Sequence, residues 1–251
     1  MIILPIAAGV GALAAASFAG FHTMWPTSQL YGRTFLGEER GSKRLALTFD
    51  DGPNDPHTLH LLDVLAKRQV KATFFVIGKF VQQRPDIVRA VADAGHAVGN
   101  HTFSHPNLIF RSAAETRREI ADCETAIQDA IGARTRLFRP PFGGRRPATL
   151  RAIRASGYEP IMWSVTGHDW SATSAHQVVE KVARQVKGGD VILLHDGGHE
   201  RIGADRSFSV QATDELVRRY SGEGYEFVTA PEMMREDKGV RFQAVEKIAP
   251  S

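Results

Sequence analysis

Cysteine is nearly missing from this chain: Cys123 is the single one among 251 residues. One cysteine excludes an internal disulfide and says little about the redox compartment. Cys123 lies in helical register with Ile120, Ile127 and Ile131. This spacing predicts that the thiol packs in a hydrophobic core rather than taking part in chemistry.

An excess of one charge is also missing. The chain has 31 lysines and arginines against 28 aspartates and glutamates, with a net charge of +3, and the two signs are interleaved. A nucleic-acid surface needs a clustered basic patch or stripe, so we predict no nucleic-acid partner. No internal repeat or low-complexity tract is present. The length and the 43% hydrophobic content fit one compact domain with a full core.

Charged residues are absent from the start of the chain, where Arg33 is the first lysine or arginine. The apolar residues 1–21 predict an export signal or a membrane anchor, and about 20 apolar residues are needed to span a bilayer. The missing basic n-region favours an uncleaved anchor over a signal peptide. A helix packed on the domain fits less well because no polar face is present. Residues 22–43 show no periodicity and are interpreted as a linker.

From residue 44 onward, strand patterns alternate with amphipathic helix patterns. The longest helix is predicted over residues 113–131, and strands are predicted over 135–139 and 160–165, among others. About seven strand and helix units predict an α/β fold, a distorted parallel (β/α) barrel rather than an open doubly wound sheet.

Distinctive polar residues fall where five of the predicted strands end. They are Asp50 and Asp51, His101 and His105, Arg139, Asp169 with Trp170, and His195 with Asp196. In a parallel barrel the carboxyl ends of the strands share one face, where reactive groups gather. We therefore expect these residues to form one site. Asp196 could instead anchor a turn, and His168, His199 and Arg201 are interpreted as solvated loop residues flanking the cleft.

The adjacent carboxylates of Asp50 and Asp51 point in opposite directions on an extended segment. One could bind a metal while the other handles protons. His101 and His105 are four residues apart, so one helical turn would place them on one side. Two histidines and a carboxylate leave a position open for water, as catalytic zinc requires. The alternatives are a common Asp-Asp-Gly-Pro turn and ordinary core or solvated histidines.

Five motifs in order resemble those of the polysaccharide deacetylase family, the NodB-homology domain of carbohydrate esterase family 4. They are TFDDGP at 48–53, HTFSH at 101–105, RPPFG at 139–143, DW at 169–170 and ILLHD at 192–196. The resemblance covers residues 44–234 and leaves a tail of residues 235–251. In the fourth motif Val165, Gly167 and Ser171 replace the family's Asp, Ser and aromatic residue, which affects the groove wall and sugar specificity.

The resemblance implies a role for each matching residue. The metal ligands would be Asp51, His101 and His105, holding zinc, with cobalt, nickel or manganese as alternatives. The proton-handling residues would be Asp50 as general base, His195 as general acid, Arg139 orienting the base and Asp169 tuning the acid. The substrate contacts would be the backbone N–H of Phe142 for the oxyanion, and Trp170 and Leu193 around the acetyl methyl.

The implied function is metal-dependent removal of N-acetyl groups from an N-acetylglucosamine polymer such as peptidoglycan or a chitin-like glycan. An acetylated polysaccharide would be the partner, in the cell envelope or outside the cell. By the positive-inside rule, however, the basic residues that follow residues 1–21 would place the chain after this segment on the cytoplasmic side. The alternatives are a polysaccharide O-acetyl esterase and a non-catalytic carbohydrate-binding module. The sequence indicates no oligomeric state.

Overall fold

A computed structural model of the chain describes residues 15–238 and 245–247. The strands within them are β1 (Arg44–Gly52), β2 (Thr73–Val76), β3 (Ala97–Asn100), β4 (Ala133–Thr135), β5 (Leu137–Phe138), β6 (Glu159–Pro160), β7 (Val165–Thr166), β8 (Asp190–His195), β9 (Glu226–Phe227) and β10 (Val245–Lys247). Eight of them form one parallel sheet in the order β6-β5-β3-β2-β1-β8-β7, with β9 paired to the start of β1. In the tail, β10 pairs antiparallel with β4.

Helices connect the strands. They are α1 (residues 15–24), α2 (His57–Arg68), α3 (Gly78–Gln83), α4 (Pro85–Asp93), α5 (Ala113–Ile131), α6 (Pro147–Ala155), α7 (Ala175–Ala183), α8 (Ser207–Gly222) and α9 (Ala230–Lys238). The predicted bounds of α5 are confirmed. Ser112 and Glu115 form a capping box at its start, and Gly132 ends it with a φ of 64°.

The two edges of the sheet are formed by one short segment. β6 pairs with β5 at one edge, and β7 pairs with β8 at the other, although only residues 161–164 separate β6 from β7. The sheet therefore curls so that residues 161–164 connect its two edges, and the prediction of a distorted parallel barrel is confirmed. The single strand predicted over 160–165 is wrong, because its middle leaves the ladder and its two ends pair with different neighbours.

Residues 22–43, predicted as a linker, contact the domain along this seam. The Phe35 N–H donates to the carbonyl of Pro160 at 2.9 Å, and the Phe35 carbonyl accepts from the Met162 N–H at 2.8 Å. The Phe35 side chain is buried. Contacts made by the backbone need no particular side-chain pattern, so the sequence gives no periodic signal for them.

Strand β1 separates two hydrophobic layers. Leu45, Leu47 and Phe49 pack in the larger layer together with residues of the surrounding helices, whereas Ala46 packs in the smaller one. Cys123 is buried in the larger layer, which confirms its predicted role in the core. In the part of the chain that the structure describes, no helix is long and apolar enough to cross a membrane. Residues 1–14 of the predicted anchor lie outside that part.

Candidate active site

The carboxyl ends of the strands surround one cavity. Asp50 in β1 lies opposite His195 in β8 in the strand register. The cavity has a volume of about 480 Å³, and ten side chains line it: Asp50, Asp51, His101, His105, Phe142, Trp163, Trp170, His195, His199 and Arg206. The structure thus brings together the two aspartates, the two histidines of HTFSH, Phe142, Trp170 and His195, as the sequence predicts.

Asp51, His101 and His105 form a compact, buried group of possible metal ligands. The Asp51 Oδ1 atom lies 3.2 Å from His105 Nε2 and 3.5 Å from His101 Nε2, and one ligand atom from each residue lies within 4.8 Å of the others. This Oδ1 is buried without a hydrogen-bond partner. An orphaned carboxylate oxygen facing two imidazole nitrogens fits a bound divalent cation.

The protonation of this group also suits a metal. His101 Nδ1 lies 2.7 Å from the carbonyl oxygen of Arg139. A carbonyl can only accept, so Nδ1 carries the proton and Nε2 keeps its lone pair for a ligand bond. Burial lowers the pKa of His105 to about 4, which keeps it neutral. Burial alone would raise the pKa of Asp51, but the nearby imidazoles hold it well below its usual range.

The histidines do not reach the site on a helical turn, so this part of the prediction is wrong. The backbone of Thr102 has a φ of 70° and that of His105 a φ of 60°, in the left-handed region. The Thr102 hydroxyl accepts from the His105 N–H at 3.0 Å, and the Asn100 side chain accepts from the Thr102 N–H at 2.9 Å. These side-chain contacts stabilise a loop that a sequence spacing of four cannot reveal.

Asp50 is held by a buried arginine. Arg139 Nη1 donates to Asp50 Oδ1 at 2.7 Å and to the Thr48 hydroxyl at 2.8 Å. The guanidinium lies 4.1 Å from the ring centre of Phe75, and Arg139 is fully buried. This contact fixes the orientation of the Asp50 carboxylate. The other Asp50 oxygen, Oδ2, lies 3.7 Å from His101 Nε2, at the edge of the ligand group.

His195 is paired with a second buried carboxylate. Asp169 Oδ1 lies 2.9 Å from His195 Nδ1, and Asp169 Oδ2 accepts from the His195 backbone N–H at 2.7 Å. The Ser209 hydroxyl donates to the same Oδ2 at 2.6 Å. Burial opposes protonation of His195, but the charge of Asp169 outweighs it and raises the pKa of His195 to about 9. His195 is therefore an imidazolium at neutral pH, with Nε2 free to donate.

The three predicted substrate contacts have different positions. The Phe142 backbone has a φ of 57°, and its ring packs edge-on against His105 at 4.7 Å. The Trp170 ring packs edge-on against His195 at 5.1 Å. Leu193, in contrast, is 3% exposed and is not among the side chains that line the cavity. It lies in the middle of β8, between its strand partners in β1 and β7.

Sequence reasoning missed three of the lining residues. Trp163 lies in the segment wrongly predicted as a strand, and Gly143 leaves room for it, since a Cβ there would lie 2.8 Å from the indole. His199, interpreted as a solvated residue, stacks on His105 at 4.8 Å. Arg206 donates to the Gly197 carbonyl at 2.7 Å. The one sequence signal for His199 is its place soon after the ILLHD motif.

Asp196 supports the turn that carries Asp51. It is fully buried, accepts from the Thr58 hydroxyl at 2.5 Å, and its pKa is raised to about 7 by burial. A Cβ at Gly52 would lie 2.2 Å from its carboxylate. The predicted alternative, a turn anchor rather than a cavity residue, agrees with this position.

Comparisons with known proteins find related sequences and a similar solved structure. The family model described as polysaccharide deacetylase matches residues 37–161. A peptidoglycan-N-acetylglucosamine deacetylase of Bacillus cereus is 35% identical over 195 residues, which are 77% of this chain and 89% of that protein. A chitooligosaccharide deacetylase of Sinorhizobium fredii is 38% identical over 191 residues, covering 75% and 89%. The crystal structure of the Bc1960 peptidoglycan N-acetylglucosamine deacetylase superposes with a TM-score of 0.74 at 34% identity, covering 80% and 91%.

Proposed function

Because the chain belongs to the polysaccharide deacetylase family, we propose that it hydrolyses the N-acetyl groups of a glycan that contains N-acetylglucosamine. Its relatives include enzymes named for peptidoglycan and for chitooligosaccharides. The observation that carries the proposal is one cavity lined by the Asp50 carboxylate, the His195 ring and a compact group of three possible metal ligands. Metal-assisted amide hydrolysis uses all three functions, whereas carbohydrate binding requires neither an acid nor a base.

The metal is part of this proposal. Asp51, His101 and His105 would hold a divalent cation, and two imidazoles with one carboxylate match the ligands of catalytic zinc. When bound, the cation supplies Lewis acidity that polarises the acetyl carbonyl and makes a water molecule acidic. Zinc is the metal we expect, with cobalt, nickel or manganese as possible substitutes.

The protein residues move the protons. Asp50, oriented by Arg139, would take the proton of the attacking water. His195 would then donate its Nε2 proton to the departing nitrogen, because an amine leaves poorly without one. The Phe142 backbone N–H, at the cavity wall, would stabilise the negative charge that develops on the acetyl oxygen. Trp170 packs on His195 and would enclose the acetyl group beside it.

The location follows from the substrate. We propose that the catalytic domain faces the outside of the cell, because peptidoglycan and chitin-like glycans lie there. Fractionation of cells followed by external protease would test this orientation. A domain that is protected in intact cells and cleaved only after lysis would contradict it.

Acetate release from a panel of glycans tests the reaction. N-acetylglucosamine oligomers, peptidoglycan and O-acetylated xylan would be incubated with the purified chain, and the products identified by mass spectrometry. We expect acetate and free amines from the N-acetylated glycans, and loss of both in the His195→Ala variant. Release from O-acetylated xylan alone would instead indicate an esterase, and release from none would leave a carbohydrate-binding module.

A further inference from the structure

The N-terminal segment exposes an unusual number of large apolar side chains. Phe18 is 58% exposed, Phe21 50%, Met24 41%, Trp25 52% and Leu30 55%. We call these five residues the N-terminal apolar surface. Residues 15–21 of α1 are exposed throughout, so the helix projects from the domain. The rings of Phe21 and Trp25 stack with their centres 5.1 Å apart, and a group of exposed apolar side chains of this kind marks an interaction surface.

This surface is fixed to the domain by one buried arginine. Arg145 Nη2 lies 2.8 Å, 3.0 Å and 2.7 Å from the carbonyl oxygens of Trp25, Pro26 and Ser28, and its backbone N–H donates to the Thr23 carbonyl at 3.1 Å. Arg145 is 1% exposed, and no carboxylate of the described residues forms an ion pair with it. A buried cation needs such polar partners, so the carbonyls define where the segment sits.

The same arginine belongs to a loop of the active site. Arg145 Nη1 donates to the carbonyl of Gly143 at 3.0 Å. The residue before Gly143 is Phe142, which lines the cavity. The N-terminal apolar surface and the cavity wall are therefore both attached to the short loop that follows β5. A movement of one relative to the other would break the contacts of Arg145.

The character of the chain around this surface favours a lipid partner. Residues 1–14, outside the described part, continue the apolar sequence, and the first acidic residue of the chain is Glu38. Tryptophan and phenylalanine are common where proteins enter the membrane interface, and acidic residues would be repelled by anionic headgroups. A second copy of the chain could cover the surface but would not account for the long uncharged continuation.

We propose that the N-terminal apolar surface docks on a lipid bilayer, and that Arg145 holds the active-site cavity at a fixed position beside that bilayer. In this arrangement the catalytic domain keeps a fixed orientation relative to the bilayer instead of moving on a flexible linker. Its catalytic loop and its membrane contact form one unit, so the cavity is presented to glycan close to the membrane.

Brominated lipids test the docking. The full chain is mixed with vesicles of phosphatidylcholine and phosphatidylglycerol, with and without bromine on the acyl chains. The emission of Trp25 is obtained by subtracting the spectrum of Trp25→Phe from that of the wild type. The subtraction removes the contribution of the other tryptophans. We expect bromine to quench most of this emission. As a matched control, Tyr225→Trp in the Trp25→Phe background places a reporter before β9, at the opposite end of the barrel, and should stay unquenched.

Three results would overturn the docking: Trp25 unquenched, both reporters quenched equally, or Trp25 shielded by self-association of the chain in the presence of vesicles. The role of Arg145 is tested separately by amide hydrogen exchange. In Arg145→Met we expect residues 22–34 to exchange about tenfold faster or more, while β1 stays protected. Arg145→Lys keeps the charge without the planar donor fork and serves as a second variant. Unchanged exchange in both variants would refute the fixed connection.

Discussion

Replacing Asp169 by asparagine tests whether His195 is the general acid. The substitution keeps the size of the side chain but removes the charge that lies against His195 Nδ1 at 2.9 Å. Because Asp169 is the largest of the charges that outweigh burial of His195, the pKa should fall from about 9 toward the ordinary value of about 6.5. Since the protonated form is lost as the pH rises through this pKa, the alkaline limb of the pH profile should move to lower pH.

The size of the effect follows from these values. At pH 8 the protonated fraction of His195 would fall from about 0.9 to about 0.03, so kcat/KM should fall about 30-fold, and less at lower pH. The assay is the pH dependence of kcat/KM on an N-acetylglucosamine oligomer. Ser209→Ala is the matched control, because it removes a hydrogen bond to Asp169 but keeps the charge. An alkaline limb that stays in place in Asp169→Asn would refute this role of the pair.

The remaining predictions concern the metal site and its support. Asp50→Asn should retain the metal and lose most turnover, whereas His101→Ala should lose both. Metal analysis and acetate release measure the two properties. Loss of the metal in Asp50→Asn would mean that the roles of Asp50 and Asp51 are exchanged. Arg139→Met should lower the free energy of unfolding by about 3–5 kcal/mol in urea titration, because it leaves Asp50 buried without its cation. Adding Asp50→Asn should restore much of that loss. If the two losses of stability simply add in the double variant, the two side chains do not form a coupled ion pair. Gly197→Ala should lower the metal affinity about tenfold or more. The new Cβ would lie 2.2 Å from the Asp51 carbonyl and would displace the backbone of that ligand. Gly222→Ala is the control, because a Cβ there meets no atom within 4 Å and should leave the metal affinity unchanged.

Local patterns predicted much of the fold. The bounds of α5 follow from Ser112 and Gly132, which cap it, and the buried strand β1 follows from the alternation of Leu45, Leu47 and Phe49. Such signals depend on neighbours within a few residues. The split of residues 159–166 into β6 and β7 depends instead on which distant strands are available at each end, and the segment's own sequence does not contain that information.

The candidate site divides in the same way. The strand-end positions of Asp50, Asp51 and His195 could be predicted because parallel strands align their carboxyl ends. The left-handed backbone at His105 is held by side-chain contacts of Asn100 and Thr102 that the spacing of the histidines does not reveal. The stacking of His199 on His105 is a tertiary contact between separate loops. The contact of Leu193 with the acetyl methyl stays a prediction, since its side chain is buried in β8 and is not among those that line the cavity.

Metal removal and replacement test the central claim most directly. The chain would be stripped with a chelator, dialysed, and assayed for acetate release from an N-acetylglucosamine oligomer before and after addition of zinc. We predict no release from the stripped protein, and restored release after zinc is added, with one free amine formed for each acetate. Full activity of the stripped protein, or no activity after loading with zinc, cobalt, nickel or manganese in turn, would contradict the account.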